Sequence, residues 1–381
     1  MLRNDVACLP ARRATGVRPS TRSDTPAIRR LLREVGLEPN VDDDHLEWKY
    51  WSERSDWAGS RSFVLERGGE ILAHAGVVPG ACRAARRVTI AHLIDWAARP
   101  DAAGAGVSLM KSIGRMADAL LAVGGSEQTL RILPHIGFRS CGTAAEYVRP
   151  LHPLRILQTE GGLRWKRLPR LARSAIWSLS ALRGVPPGWR VQRVTPGETG
   201  VLDAVVRADA EVSAEGAGGK SLGSSRLGRA LVDGMRLDGT LLERSAQQLE
   251  YALRCPIASM ALYGVKCGGD IRGYFLLAHV PGQVRLADYR ILSNDPADWR
   301  SLILCAVREA TQSVAAVELV TWAGTGTLER VLGTCGFHPR GRLPVQALAR
   351  RGSDAFPASI LVHMLDNDAA YYHAGRPALW V

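Results

Sequence analysis

The chain lacks what would build a disulfide framework or a structural zinc site. Its seven cysteines, Cys8, Cys82, Cys141, Cys255, Cys267, Cys305 and Cys335, are scattered and odd in number. No Cys-x-x-Cys pair or Cys/His ligand spacing occurs, so no metal is expected. A reducing cytoplasm is the compartment that this cysteine usage suggests. Long apolar runs are also missing. The longest stretch free of Asp, Glu, Lys and Arg, Gly273–Val284, is about a dozen residues, against roughly 20 for a bilayer-spanning helix. Met1 to Gly16 carries Arg3, Asp5, Arg12 and Arg13 but no apolar core, so no secretory signal is expected. Acidic residues are outnumbered, 37 against 49 Lys+Arg, for a net charge of +12. That balance favours an anionic partner (a nucleotide cofactor, a nucleic acid or an acidic membrane surface) without choosing among them.

What is present is ordinary globular material. The 381 residues are 46% hydrophobic and 23% charged, enough for two domains with a core each. Internal repetition organises them. One copy opens with Val17-Arg18-Pro19 and a helix through Ile28, Leu31, Leu32 and Val35; the other opens with Val191-Gln192-Arg193-Val194 and a helix through Val201, Leu202, Val205 and Val206. Leu46-Glu47-Trp48-Lys49-Tyr50 answers to Leu249-Glu250-Tyr251-Ala252-Leu253. Each copy then has a hairpin signal, Gly68-Gly69-Glu70 and Gly268-Gly269-Asp270, because paired glycines supply the positive φ angles of a two-residue turn. A strand follows in each, Leu93-Ile94-Asp95-Trp96 and Leu286-Ala287-Asp288-Tyr289. Helix, strand and helix then end at Gly137-Phe138 and Gly336-Phe337, with Arg131/Arg330 and Leu133/Leu332 in register. The reading is an N-terminal tail over 1–16, a first domain over 17–150, a linker over 151–188 and a second domain over 189–381. In the linker, 163–183 carries Arg164, Lys166, Arg167, Arg170, Arg173 and Arg183 among Trp and Leu, with no acid. It suits either an anionic membrane surface or an interdomain helix, interrupted at Pro169. After residue 350, a strand is expected over Ser359–Met364, leading to Asp366-Asn367-Asp368.

The most informative stretch runs from Asp95 to Met110. A strand ends near Ala98, a glycine-rich turn follows, and a helix opens toward Leu109, Ile113, Met116 and Leu120. Such a turn aims backbone N–H groups at one spot, where the helix dipole favours phosphate. Lys111 and Arg115 are candidates to add positive charge for an extended phosphate ligand.

In this order of elements the chain resembles the GNAT superfamily of acyl-CoA-dependent N-acyltransferases, arranged as a tandem-GNAT protein. The resemblance implies an α/β (α+β) fold of two GNAT-like domains, each a twisted, mixed, mostly antiparallel sheet flanked by helices. It also implies acetyl-CoA or another acyl-CoA as donor, cradled by the backbone of Ala97, Ala98, Ala103, Gly104, Ala105, Gly106, Val107 and Ser108, with Lys111 nearby. Against the Arg/Gln-x-x-Gly-x-Gly/Ala pattern, Ala103 stands where a basic or amide residue belongs; a register starting at Asp101 places an acid there. The Tyr that often protonates the departing thiolate is replaced by Leu133, and by Leu332 in the second copy. His92 ranks first as general base, Asp95 second and Glu66 third, because a His near neutral pKa suits deprotonation of an ammonium. Strand alternation puts His92, Ile94 and Trp96 on one face and Leu93 and Asp95 on the other.

The second copy has no glycine loop, and Asp295 and Asp298 occupy the place where phosphates would sit, so it is expected to be degenerate and to wall off an acceptor site. The functional expectation is transfer of an acyl group to the amine of a small molecule or amino sugar, in the cytoplasm or at a membrane surface, without nucleic acid. A Fem-type aminoacyl-tRNA-dependent transferase and a non-catalytic GNAT-like binding or scaffold protein are the alternatives.

Overall fold

The computed structural model describes residues 16–37, 42–152, 184–203, 205–206, 239–324, 326–350 and 356–373, together with Ala172, Ala175 and Ile176. Apart from those three residues, the basic stretch 163–183 lies outside the described residues. The first repeat runs β1 (Gly16–Pro19), α1 (Thr25–Glu34), α2 (Asp43–Leu46), β2 (Ser62–Arg67), β3 (Glu70–Arg83), β4 (Arg87–Ala98), α3 (Ala105–Ile113), β5 (Ala119–Val123), α4 (Glu127–His135) and β6 (Arg139–Pro150). The second runs β7 (Trp189–Val194), β8 (Thr240–Leu241), α5 (Ala246–Leu253), β9 (Ser259–Cys267), β10 (Asp270–Val280), β11 (Gln283–Ile291), α6 (Pro296–Thr311), β12 (Glu318–Ala323), α7 (Gly326–Thr334), β13 (His338–Ala349) and β14 (Ile360–Leu361).

Local chemistry sets the two hairpins. Gly68 and Gly69 take φ of 62° and 88°, Gly268 and Gly269 take 63° and 101°, and the flanking residues pair as Arg67 with Glu70 and Cys267 with Asp270. These are the two-residue turns whose twist matches that of the strands. Two expectations of length are corrected. The helix after the glycine turn stops at Ile113, with Gly114 as its C-cap; Met116 is half exposed and Leu120 belongs to β5. The strand expected over Ser359–Met364 shrinks to β14, which pairs with β8. Beyond it the Asp366 carboxylate accepts the His363 amide at 2.7 Å and turns the chain into two short 3₁₀ turns, a local bond that competes with a ladder.

The two repeats do not keep separate sheets. Twelve strands form one sheet in the order β1-β2-β3-β4-β5-β13-β6-β12-β11-β10-β9-β7. The last strand of each repeat pairs antiparallel with the fifth-strand equivalent of the other, β13 with β5 and β6 with β12, and the two exchanged strands pair with each other at the centre. In each repeat one rung is parallel, β4 with β5 and β11 with β12. Helix α3 packs Leu109, Met110 and Ile113 on the face of the first half-sheet that carries Phe63 and Leu65, and α1 packs Ile28, Leu31 and Leu32 on the opposite face, with Val64 and Ala97. A third core joins the repeats, with Val88, Ile90 and Leu121 of the first sharing it with Leu249, Leu262 and Leu276 of the second.

This exchange yields a prediction. Residues 1–183 alone leave β5 with one open edge and β6 with two, so the N–H and C=O groups along those edges lose their partners. Expressed alone, either half should be aggregated or lack dispersed amide signals in NMR; co-expressed halves should co-purify as a folded pair. A well-dispersed spectrum from an isolated half would refute the exchange.

Candidate functional site

Strand β4 carries the site because of one extra residue. Gly76 of β3 faces Ile94 and His74 faces Ala97, so Asp95 and Trp96 together oppose Ala75. Asp95 takes a φ of +49°, the one non-glycine residue in that region among those described. Such a bulge reverses the alternation beyond it. Before it, Ala91 and Leu93 pack toward α3 while Val88 and Ile90 face the core shared by both repeats; after it, Trp96 and Ala98 take the α3 side. The expectation that Trp96 shares a face with His92 is therefore corrected. Strand β4 pairs with β5 only from Ile90 to His92, and beyond that rung the two strands diverge. Ala97 and Ala98 are paired with β3 and present their other edge to the opening.

At the end of this splay the glycine turn gathers several backbone amides into a nest. Gly104 takes a φ of 79°, with nothing within 4 Å of where a Cβ would stand. Ala105 N–H donates to Ala102 at 3.0 Å and Ser108 N–H to Gly104 at 2.9 Å. Among the described residues the amides of Ala103, Gly104, Gly106 and Val107 meet no acceptor. Gly106 is held from behind, its carbonyl accepting the Trp96 indole N–H at 3.0 Å. A Cβ on Gly106 would lie 3.0 Å from that indole nitrogen. Asp101, the acid in the alternative loop register, is paired with Arg99 at 2.7 Å, which offsets its charge. Lys111 sits in the last turn of α3, not the first, roughly 9 Å along the axis from Ala105 at 1.5 Å per residue. Arg115 lies past the helix and turns back to the Lys111 carbonyl and the Ser112 hydroxyl. The expectation puts both cations one turn into the helix; Lys111 is in its last turn and Arg115 is beyond it.

The three candidate bases are not brought together. His92 is buried; Asn367 Nδ2 donates to its Nε2 at 3.1 Å, which leaves its proton on Nδ1, beside the Asp366 backbone. Burial is the main reason its pKa falls to about 4, against a smaller upward pull from Asp366, so the ring is neutral at pH 7 with its lone pair already engaged. Asp95 is locked in an ion pair, 2.5 Å from Lys49 Nζ and 2.6 Å from the Tyr50 hydroxyl. Burial raises its carboxyl pKa, but the Lys49 ammonium outweighs that and the net shift is downward. Glu66 lies at the hairpin end of β2, paired with Arg18 at 2.7 Å. Leu133, where the family Tyr would stand, is a core leucine.

What sequence reasoning missed is the C-terminal segment. Asp368 reaches Lys49 at 3.1 Å, so the ammonium lies between Asp95 and Asp368. Asp366 reaches Arg244 at 2.6 Å, and Arg244 also holds Asp288 at 2.9 Å. Asp288 is the second-repeat counterpart of Asp95, again beside a bulge, opposite Leu276 and Leu277, and it also bonds Tyr274 and His363. Trp48 and Tyr251, which match in the repeat alignment, stack at 5.0 Å between the halves, and Tyr371 packs edge-on against Trp48. Arg61, buried, donates to the carbonyls of Trp48, Lys49 and Ser52, where the helix after α2 ends as a π turn. The available signals were the lysine inside Trp48-Lys49-Tyr50-Trp51 and the acids flanking Asn367.

The second repeat builds the same frame and closes it. Tyr289, counterpart of Trp96, donates across the opening to the Trp322 carbonyl at 2.9 Å. At the start of α6 no amide is left over: Pro296 has none, Ala297 donates to the Asp295 carboxylate at 2.8 Å, and Asp298 and Trp299 donate to the Asp295 carbonyl. Among the described residues no three His, Cys, Asp or Glu side chains are grouped to hold a metal ion, and no helix is long and apolar enough to cross a membrane.

The fold is similar to those of several solved structures. A GCN5-related N-acetyltransferase from Anabaena variabilis superposes with a TM-score of 0.56 at 11% identity, covering 88% of this chain and 72% of that one. A conserved protein from Enterococcus faecalis, described as a probable N-acyltransferase, gives 0.53 at 13% identity over 88% and 72%. A tandem GNAT protein from the clavulanic acid biosynthesis pathway gives 0.50 at 13% identity, over 90% of this chain and 100% of that one. No family model and no curated protein sequence matches the chain. The fold is that of tandem GNAT proteins.

Three buried histidines give the site a pH signature. Burial pushes His92 and His74 down to about 4 and His45 to about 3. An unfolded chain takes up these protons near pH 6.5, the folded chain only near 4. Stability is therefore full above about pH 6.5 and falls as the pH drops, by about 1.4 kcal/mol per pH unit for each histidine. The raised Asp368 carboxyl works in the opposite sense. Urea unfolding at pH 7 and pH 5 should show His92→Gln losing less stability than the parent over that interval. Equal losses would mean His92 is not held neutral.

Proposed function

We propose that the chain is an acyl-CoA-dependent N-acyltransferase in which only the first repeat binds the acyl donor. The observation that carries this reading is the contrast between the two helix starts: unbonded amides around Gly104–Val107 at α3, and amides at α6 that are absent or already bonded. A diphosphate would take the free N–H groups of the nest, where backbone donors and the helix dipole act together. The pantetheine arm would then lie in the opening between β4 and β5, with its thioester carbonyl beside the backbone of Ala97 and Ala98, where an N–H can stabilise developing negative charge.

A neutral amine attacks the thioester carbon, the N–C bond forms, the C–S bond breaks, and sulfur leaves with the electron pair. A thiolate of pKa ~8.5 is a competent leaving group without a dedicated acid, which suits a site whose tyrosine position is Leu133. The proton lost by the amine goes to solvent or to the thiolate. Acetyl is the simplest acyl group for this arrangement, and the acceptor is a small-molecule amine or amino sugar. The engaged lone pair of His92 and the buried Leu133 favour a second reading, a binding or scaffold protein that holds acyl-CoA without turnover.

Acetyl-CoA should stabilise the protein by about 2.7 kcal/mol at a hundred times its Kd, seen as a rise in Tm. Gly104→Val costs about 1–2 kcal/mol, because a left-handed backbone disfavours a side chain, and fills the open side of the nest. It should weaken acetyl-CoA at least tenfold while the protein stays folded. Absence of any Tm rise with acetyl-CoA in the parent would end the transferase reading. A rise with no thiol release over an amine panel would select the scaffold.

A further inference from the structure

A cavity of about 40 Å³ lies between the repeats. Strands β3 and β4 wall it on one side, α5 and Leu242 on the other, and Asp366 and Tyr371 of the C-terminal segment close it. His92 is in its wall and also at the last rung where β4 pairs with β5. The cavity touches β4 at Ile90 and His92, on the side away from α3 and at the rung beyond which the strands diverge, so an amine held there would approach a thioester lying in the splay.

Its wall carries charge of two kinds. Arg54 and Arg61 stand 4.6 and 5.3 Å from the Tyr251 ring centroid. The only carboxylate bonded to either, among the described residues, is Asp56, held by Arg54 at 2.6 Å. Arg61 is 1% exposed, and among the described residues its N–H groups reach only neutral oxygens: the three carbonyls and the Tyr251 hydroxyl. This part of the wall has two guanidinium groups for one carboxylate. Near His92 the charges are closer to balance: Arg244 faces two carboxylates, Asp288 and Asp366, and the buried Arg290 lies close enough to Asp366 to feel its charge. A buried charge without a counter-ion is costly, so a ligand that brings an anion to Arg61 relieves a cost already present in the fold.

We propose that the acceptor is a small amine bearing a carboxylate, of the amino-acid class, with its nitrogen beside His92 and Asp366 and its carboxylate beside Arg54 and Arg61. The proposal rests on the transferase reading and deepens it by naming the substrate class. It gives the second repeat a task, since α5 supplies Gln248 and Tyr251 to the carboxylate end.

The test compares glycine and β-alanine with glycinamide and ethylamine, in thiol release with acetyl-CoA and in calorimetric binding to the CoA-saturated protein. The variant Gln248→Glu sets a second carboxylate against Asp56, the partner of Arg54 to which the Gln248 amide donates at 2.7 Å, and keeps the Ser245–Gln248 capping pattern of α5; Arg54→Gln removes a guanidinium. Carboxylate-bearing amines should bind at least about tenfold tighter than their neutral partners, as a charge-assisted hydrogen bond requires, and both variants should erase that margin while retaining the parent's circular dichroism. Equal use of both amine classes would overturn this proposal and leave the transferase standing. Carboxylate-selective binding without thiol release would overturn the transferase and leave the pocket assignment. No binding of any of the four would overturn the pocket.

Discussion

Two buried cations hold this molecule together. Lys49 lies between Asp95 and Asp368, and Arg244 between Asp288 and Asp366. In each trio one carboxylate comes from the bulged strand of a repeat and the other from one short C-terminal segment. Withdrawing such charges from water costs several kcal/mol per ion, offset only when every partner is in place. The Lys49 ammonium stays charged because its two carboxylates outweigh the burial that would otherwise strip its proton, and Arg244 is held in the same way. The segment from Asp366 to Asp368 thus ties the two repeats to each other in addition to the exchanged strands. Because Asn367 lies between the two acids, its bond to His92 is set by the same placement.

From that symmetric frame the two repeats diverge at one spot each. In the first, Trp96 turns toward the start of α3 and braces Gly106, so the gap between β4 and β5 stays uncrossed and the helix amides stay free. In the second, Tyr289 crosses the gap, and Asp295 caps a helix that begins with proline. The same α/β frame therefore yields, among the described residues, one helix start with unbonded amides and one whose amides are absent or bonded. The plugged repeat still contributes, since α5 and the segment before it form the far side of the cavity that His92 lines.

The repeat, the Gly-Gly hairpins and the nest were legible because each depends on neighbours in sequence: glycines at positive φ, a strand, a turn, a helix. The strand exchange was not, since alternation along β6 or β13 says which face is buried and nothing about which strand lies alongside. The bulge at Asp95 was invisible for a similar reason. It is defined by the register with β3, and it moved Trp96 to the face opposite the one that period-two counting gave it. His92 and Asp95 were chosen for their chemistry, and the structure spends both on links to Asn367 and Lys49. The sequence predicts a helix about two turns too long, because Met116 and Leu120 keep the apolar spacing past Gly114; Lys111 falls in the last turn of the actual helix. Lys49 sits among aromatic residues and Asp368 more than three hundred residues later; only the folded chain brings them together.

The central claim is that one repeat alone offers free amides to a diphosphate. Hydrogen–deuterium exchange with and without acetyl-CoA reads those amides directly. The account predicts slower exchange across Ala103–Ser108 on adding acetyl-CoA, with no change at the start of α6 around Ala297–Trp299. Protection at both helix starts, or at α6 alone, would contradict it.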